Sequence, residues 1–299
     1  MPARTETAPI SGDNLDAALA LLETVVPPRP SLRRALVTAG AGAGEDKAEG
    51  FLVTEAGRAV LAVAASAVGS DPPTTWVRIA SALPRHTRRW LEAVPLASSA
   101  LLRSSGPMEC TIADWDDGAA AHLETLGLRF SGRTFYMTSR ERHEQPPVDL
   151  VPASEEVIRA CFELECAAER QYHERRSAEP PPASDNDEAF GRFQRTAERF
   201  VARGDLFAFG DAAAITGYLL LDENAIDTVV VRPDLQRRGV GSTIVRFACA
   251  TLQRRGHALV SLLTSDRNLE AVRLYERHGF RMHCINRWFV PAHASYSLE

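Results

Sequence analysis

The stretch IDTVVVRPDLQRRGVGSTIVRFACATLQRRG, Ile226 to Gly256, reads as a strand, a tight turn and a helix in immediate succession. Val229, Val230 and Val231 are β-branched and favour a strand, and Pro233 ends it because proline offers no backbone donor. The residues from Ser242 onward form an amphipathic helix that stops at Gly256. Between strand and helix lies QRRGVGS, Gln236 to Ser242. Gly239 and Gly241 remove side chains where the backbone turns sharply and can approach a ligand closely. The unpaired amides at the start of the helix carry the positive end of its dipole and suit a phosphate or pyrophosphate, with Arg237 and Arg238 adding charge. Taken alone, the same turn also reads as an ordinary strand-to-helix junction.

Other phosphate-binding templates fit poorly. No GxxxxGK[ST] run occurs, and Lys47 is the only lysine in the chain. A dinucleotide fingerprint would need glycine where Ile244 stands and an acidic residue on the next strand, where ALVSLLT has none.

Upstream, SEEVIRACFELECAAERQYHERR (154–176) spaces Val157, Cys161, Leu164 and Ala168 as one helix face, with Ser154 as its N-cap. DEAFGRFQRTAERFVARG (187–204) repeats that pattern and closes at Gly204. LFAFGD and AAITGYLLLDE read as antiparallel strands leading into the strand at 225–231. The polar run SAEPPPASDNDE (177–188) cannot be a helix interior and reads as a loop.

A shift of 152 residues lays one half of the chain over the other. AHLETLGLRFSGRTFYM (121–137) falls on RLYERHGFRMHCINRWFV (273–290), and TTWVRIAS (74–81) on IDTVVVRP (226–233). Fixed-period self-similarity of this kind indicates a duplicated domain. ERHEQPPVD (141–149) has the composition of a linker, so the expected division is 1–143, a linker at 144–148, and 149–299.

The two motifs around Gly239 and Tyr275 together resemble the GNAT superfamily of acetyl-CoA-dependent N-acetyltransferases. Its loop pattern, Gln/Arg-x-x-Gly-x-Gly/Ala, is followed about thirty residues later by Asn and then Leu-Tyr-x-x-x-Gly-Phe. Gln236, Gly239, Gly241, Asn268, Leu274, Tyr275, Gly279 and Phe280 fill those positions. The resemblance implies an α/β (α+β) fold of two GNAT-like domains, each a mixed, mostly antiparallel sheet flanked by helices. It implies that the backbone of Val229, Val230 and Val231 meets the pantetheine arm of acetyl-CoA. The amides of Arg237, Arg238, Gly239, Val240, Gly241 and Ser242 would hold the pyrophosphate, and Asn268 would bond near the pantetheine. Tyr275 would protonate the departing thiolate, which a neutral phenol can do.

Attack on the thioester needs a neutral amine and therefore a base. Asp227, two residues before Val229, would face the acceptor cleft if the strand alternates regularly; Glu223, Glu163, Glu165, Tyr172 and His173 are the alternatives. In the first half, PRHTRR (84–89) stands opposite the loop without glycine, Asp116 opposite Asn268, and Leu123 opposite Tyr275. That half is expected to keep the core and to lack the chemistry.

The chain has 299 residues and a formal charge of −5, from 34 basic and 39 acidic residues. Residues 1–140 hold 14 basic and 15 acidic residues, so −4 lies beyond them, in the half expected to receive an amine. The absence of a basic tract argues against a nucleic-acid partner. No apolar run approaches the 18 residues of a membrane span, and no secretory pattern opens the chain, so a cytoplasmic monomer or homodimer is expected. Five scattered cysteines indicate neither a disulfide framework nor a metal site. The expected activity is acetylation of a small-molecule amine with acetyl-CoA as co-substrate and no metal. A peptide or protein amine is the alternative acceptor, and a non-catalytic acyl-CoA-binding module the alternative role.

Overall fold

The computed structural model describes residues 5–27, 29–39, 48–68, 74–83, 86–92, 108–175, 187–211 and 214–292. One order of elements runs twice along the chain: strand, two helices, three strands, helix, strand, helix, strand. The first pass comprises β1 (Thr5–Pro9), α1 (Leu15–Leu22), α2 (Pro30–Ala39), β2 (Ala48–Glu55), β3 (Arg58–Val68), β4 (Thr74–Ser81), α3 (Thr87–Glu92), β5 (Met108–Ala113), α4 (Asp117–Thr125) and β6 (Leu128–Ser139). The second comprises β7 (Leu150–Val151), α5 (Glu155–Glu174), α6 (Asp187–Arg203), β8 (Leu206–Asp211), β9 (Ala214–Asp222), β10 (Ala225–Val231), α7 (Val240–Arg254), β11 (Val260–Ser265), α8 (Leu269–Glu276) and β12 (Arg281–Pro291). The fold is mixed α/β with mostly antiparallel strand pairs; β4 with β5 and β10 with β11 are parallel.

Contacts divide the chain into two compact units: Met1–Met137 with Thr264–Asn268 and Met282–Glu299, and Thr138–Leu263 with Leu269–Arg281. A cut at 143–149 would give all of 149–299 to one domain, whereas these contacts place the closing strand with the first unit. There the strand order is β1-β2-β3-β4-β5-β12-β6. β12 pairs antiparallel with β5 from Asn286↔Ala113 to Phe289↔Cys110. Trp288 is 1% exposed, meets Trp76 edge-on at 5.6 Å, and donates its indole N–H to Thr134. An indole buried this deeply needs such a partner, and the pair ties β12 to β4 and β6. The turn between β2 and β3 has two residues at positive φ, Ala56 at 52° and Gly57 at 76°, as a tight hairpin requires.

In the second unit the strand order is β11-β10-β9-β8-β7. α5 starts where Ser154 accepts the Val157 N–H at 3.3 Å, and α6 is followed by Gly204 at φ 70°, both as the sequence predicts. The inner faces of α5 and α6 supply Val157, Ile158, Cys161, Leu164, Phe190, Ala197 and Phe200 to a core with Leu206, Ala208, Tyr218, Leu220 and Val230. α7 packs on the opposite face of the same strands, where Phe247 meets Phe207 at 5.2 Å and Phe209 at 5.3 Å. Gly217 makes that approach feasible: a Cβ there would lie 2.6 Å from Val230 O and 2.8 Å from Ile244 Cδ1. All five cysteines are free. No helix among the described residues is long and apolar enough to cross a membrane.

Candidate active site

The site begins where β10 and β11 stop pairing. Their parallel ladder holds at Ala225↔Ser261 and Ile226↔Leu262, while β10 continues against β9 as far as Val231↔Gly217. The register of β10 with β9 shifts between Ile226 and Thr228, so Asp227 is the extra residue of a bulge. Bulges redirect side chains, and this one overturns the simple alternation expected from sequence. Val229 pairs with Leu219, whereas Val230 pairs with Tyr218 and Thr228 with Leu220 on the α5 face. Asp227 does not follow Val229: it acts electrostatically on Glu165 of α5 and Tyr218 of β9, and its Oδ2 accepts the Thr228 hydroxyl at 3.1 Å.

Past Val231 the chain makes a short 3₁₀ turn, Pro233–Leu235. Gln236 then ties the loop down, its amide N–H₂ reaching Val231 O at 3.4 Å and its carbonyl accepting from Arg175 at 3.3 Å. Arg175 also pairs with Glu270 of α8 at 3.4 Å. Arg237 takes φ 61° and Gly239 φ 89°, turning the backbone into α7. Gly239 is the N-cap of α7 and makes no side-chain cap, and among the described residues no side chain accepts from the helix's first amides. The uncapped amides and the exposed Arg237 and Arg238 therefore form a positive mouth. Val240 opens the helix, and a Cβ on Gly241 would meet Leu274 Cδ2 at 3.3 Å and Val231 Cγ2 at 3.6 Å. The second glycine thus lets α8 press against the first turn of α7.

Ser242 Oγ lies 2.6 Å from His278 Nε2. Burial first, then His143, Arg246 and Arg277, hold His278 below the usual histidine value, so its ring is neutral near pH 7 and accepts from or donates to Ser242 Oγ according to its tautomer. Tyr275, one residue beyond Leu274, is 9% exposed and meets Phe280 edge-on at 5.8 Å. Burial pushes its phenol up to about 12, so it holds its proton at neutral pH. Asn268 directly precedes α8 and donates its N–H to Ser265 O at 3.0 Å.

On the α5 face, Tyr218 is fully buried and its hydroxyl donates to Glu165 Oε2. Burial outweighs that bond and raises the Glu165 carboxyl to about 7, with Glu169 and Asp227 pushing the same way. Phe193 meets Tyr218 edge-on at 6.2 Å, and Phe162 meets Phe193 in a tilted contact at 5.5 Å. Phe162 also lines a cavity of about 370 Å³ between α5 and α6, with Arg159, Glu163, Cys166, Asp187 and Phe190. Tyr218 carries no motif in the sequence; the signal that could have found it is its place opposite Val230 in the hairpin. The alternatives Glu223, at φ 53° in the β9–β10 turn, and Glu163, at the cavity, lie apart from this carboxylate group. Among the described residues no three His, Cys, Asp or Glu side chains are arranged to hold a metal.

The corresponding position of the first unit is built differently. Thr87, which lies 152 residues before Gly239, is fully buried at the start of α3. Its Oγ1 lies 2.8 Å from Ser81 Oγ and 3.0 Å from Asp116 Oδ2, and Ser81 donates to the same carboxylate oxygen at 2.7 Å. Asp116, opposite Asn268 in the repeat, is 1% exposed and caps α4 by accepting the Ala119 N–H at 3.0 Å. Pro84 and Arg85 lie outside the described residues.

A family model for the acetyltransferase (GNAT) family matches residues 159–280. The ribosomal protein bS18-alanine N-acetyltransferase of Escherichia coli (strain K12) is 34% identical over 109 residues, 36% of this chain and 67% of that protein. Among solved structures, a GCN5-related N-acetyltransferase from Sphaerobacter thermophilus superposes with a TM-score of 0.55 at 16% identity, covering 97% of this chain and 96% of that one. A tandem GNAT protein from the clavulanic acid biosynthesis pathway gives 0.51 at 15% identity, covering 98% and 100%. Likeness at that identity speaks for the fold, while the loop, the family match and the bacterial relative speak for the chemistry. The chain belongs to the GNAT acetyltransferase family, whose members use acetyl-CoA.

Proposed function

We propose that the second unit transfers the acetyl group of acetyl-CoA to the amine of a small cationic acceptor. The observation that carries this reading is the start of α7: uncapped amides behind a positive-φ glycine, beside a strand end that has parted from its parallel neighbour. A pyrophosphate fits there because, among the described residues, no side chain competes for the amides of residues 237–242, and two exposed arginines add charge. Past Ile226 the edge of β10 that β11 no longer pairs, at Val229, Val230 and Val231, bonds the pantetheine arm, with Gln236 already on Val231 O, and Asn268 supplies a further amide to it. Tyr275 gives its proton to the sulfur as the C–S bond breaks. Burial that raises the phenol also raises a thiolate departing beside it, which keeps the two matched.

The acceptor in this reading is a small molecule held at the carboxylates; the cavity of about 370 Å³ between α5 and α6, lined by Arg159 and Arg170, lies apart from them. It is cationic because Glu165, Glu169 and Asp227 gather on one face. The first unit keeps the fold without the cofactor loop, as a degenerate copy. A second reading, an N-terminal protein amine, draws on the name of the Escherichia coli relative. Release of CoA thiol from acetyl-CoA, followed with a panel of primary amines and an alanine-initiated peptide, tests both. Turnover with a small amine is expected; turnover with the peptide alone selects the second reading. Tyr275→Phe should lower kcat about 100-fold with acetyl-CoA affinity unchanged.

A further inference from the structure

We propose that Glu165, oriented by Tyr218, takes the proton from the incoming ammonium, and that Asp227 is a second anionic contact for the same cation. The inference rests on the acetyltransferase reading and assigns the base within it.

Three observations converge on Glu165. First, Tyr218 has no exposed surface, and its hydroxyl donates to Glu165 Oε2, which fixes the carboxylate while leaving Oε1 to a substrate. Second, the β10 bulge falls at Asp227, immediately after the last β10–β11 pair, and turns an exposed carboxylate toward the same face. Third, the groups acting on Glu165 are Tyr218 from β9, Asp227 from β10, and Cys161 and Glu169 from its own helix, and His173 lies beyond Glu169. The charged neighbours of Glu165 itself are carboxylates, and an ammonium relieves their mutual repulsion. A carboxyl near 7 is matched to accepting a proton at neutral pH, whereas an exposed carboxylate of ordinary strength is a weaker base.

The ammonium gives one proton to Glu165, and the freed nitrogen lone pair forms the C–N bond at the thioester carbonyl. The C–S bond breaks with its electron pair on sulfur, which takes the Tyr275 proton; the second nitrogen proton restores Tyr275. Glu165 releases its proton to solvent, leaving an amide, the CoA thiol and one proton.

The experiment is the pH profile of kcat for CoA thiol release with the best amine of the panel, for the wild-type chain, Glu165→Gln, Asp227→Asn and Tyr218→Phe. Acetyl-CoA affinity, measured alongside, reports on folding of the loop. The wild-type profile is expected to fall on an acid limb centred near 7. Glu165→Gln, which can still accept from Tyr218, should lower kcat about 100-fold or more and erase the limb. Asp227→Asn removes a repelling charge, so the limb moves to lower pH while KM for the amine rises. Tyr218→Phe removes a bond that favours the ionised form, so the limb moves to higher pH. An acid limb that persists in Glu165→Gln overturns the proposal, and its loss in Asp227→Asn transfers the role to Asp227. Absence of turnover by the wild-type chain with every acceptor overturns the acetyltransferase reading itself.

Discussion

Two helix starts, α3 in the first unit and α7 in the second, occupy equivalent places in the repeat and answer the same electrostatic problem in opposite ways. Every helix N-terminus presents unpaired amides and partial positive charge. At α3 the chain places its own carboxylate beside the helix start: buried Thr87 and Ser81 share Asp116, which also caps α4. At α7 the cap is Gly239, a Cβ would find nothing within 4 Å, and Arg237 and Arg238 add to the positive field. The first arrangement stabilises the unit and repels an anion, since a carboxylate already stands there. The second leaves the charge for a ligand. What separates a structural helix start from a binding one is thus the presence of an internal acceptor, more than the helix itself.

Placing the α3 residue at α7 is the most severe way to break this comparison. Gly239→Thr puts a β-branched residue at φ 89° in the loop, a conformation that such side chains resist. Acetyl-CoA affinity should fall about 100-fold by calorimetric titration, because the loop must reshape before its amides can converge. An affinity within about threefold of wild type would show that the loop does not depend on the left-handed cap.

The converse change acts on stability alone. Asp116→Ala removes the cap of α4 and leaves two buried hydroxyls without their acceptor, a loss of about 2–4 kcal/mol in denaturant unfolding. Acetyl-CoA affinity should stay unchanged. A weakened affinity would mean that the vacated site contributes to the working one.

Features set by neighbours within a few residues are legible in the sequence, and features set by distant pairing are not. The Gln236–Ser242 loop, the helix opening after Ser154 and the stop at Gly204 depend on neighbours within a few residues, and each is where composition places it. The same holds for the doubled order of elements. The Tyr218–Glu165 bond joins residues 53 apart and depends on the register of a hairpin under a helix, which no local pattern encodes. The bulge at Asp227 leaves no mark in AIDTVVV, because an extra residue in a strand shows only against its partner. Likewise β12 has the alternation of any strand, and only its pairing with β5 shows which unit it completes.

The smallest expected effect concerns Ser242 and His278, whose sequence counterparts in the first half are Trp90 and Leu126 and offer no such pair. His278 faces His143 at 5.7 Å, Arg246, Arg277 and Glu141; burial and the cations lower its value, and Glu141 opposes them. A histidine lowered in the folded state binds fewer protons there than when unfolded. Its contribution to stability is therefore complete above the ordinary value near 6.5 and declines as pH falls from there through the lowered value. Protonation also fixes the direction of the contact: with both ring nitrogens protonated, Nε2–H must donate to Ser242 Oγ, whose hydroxyl proton then turns away from the ring. A serine at the third position of α7 that donates outward, over a cationic ring, suits a pyrophosphate better than one engaged by a neutral histidine. Binding should therefore take up a fraction of a proton and tighten about two- to threefold on acidification through the His278 value. Calorimetry of acetyl-CoA binding in two buffers of different ionisation heat measures that uptake directly. His278→Gln should bind with no linked proton and should lose less stability in acid than wild type, whereas equal proton uptake by both would reduce the Ser242–His278 contact to packing.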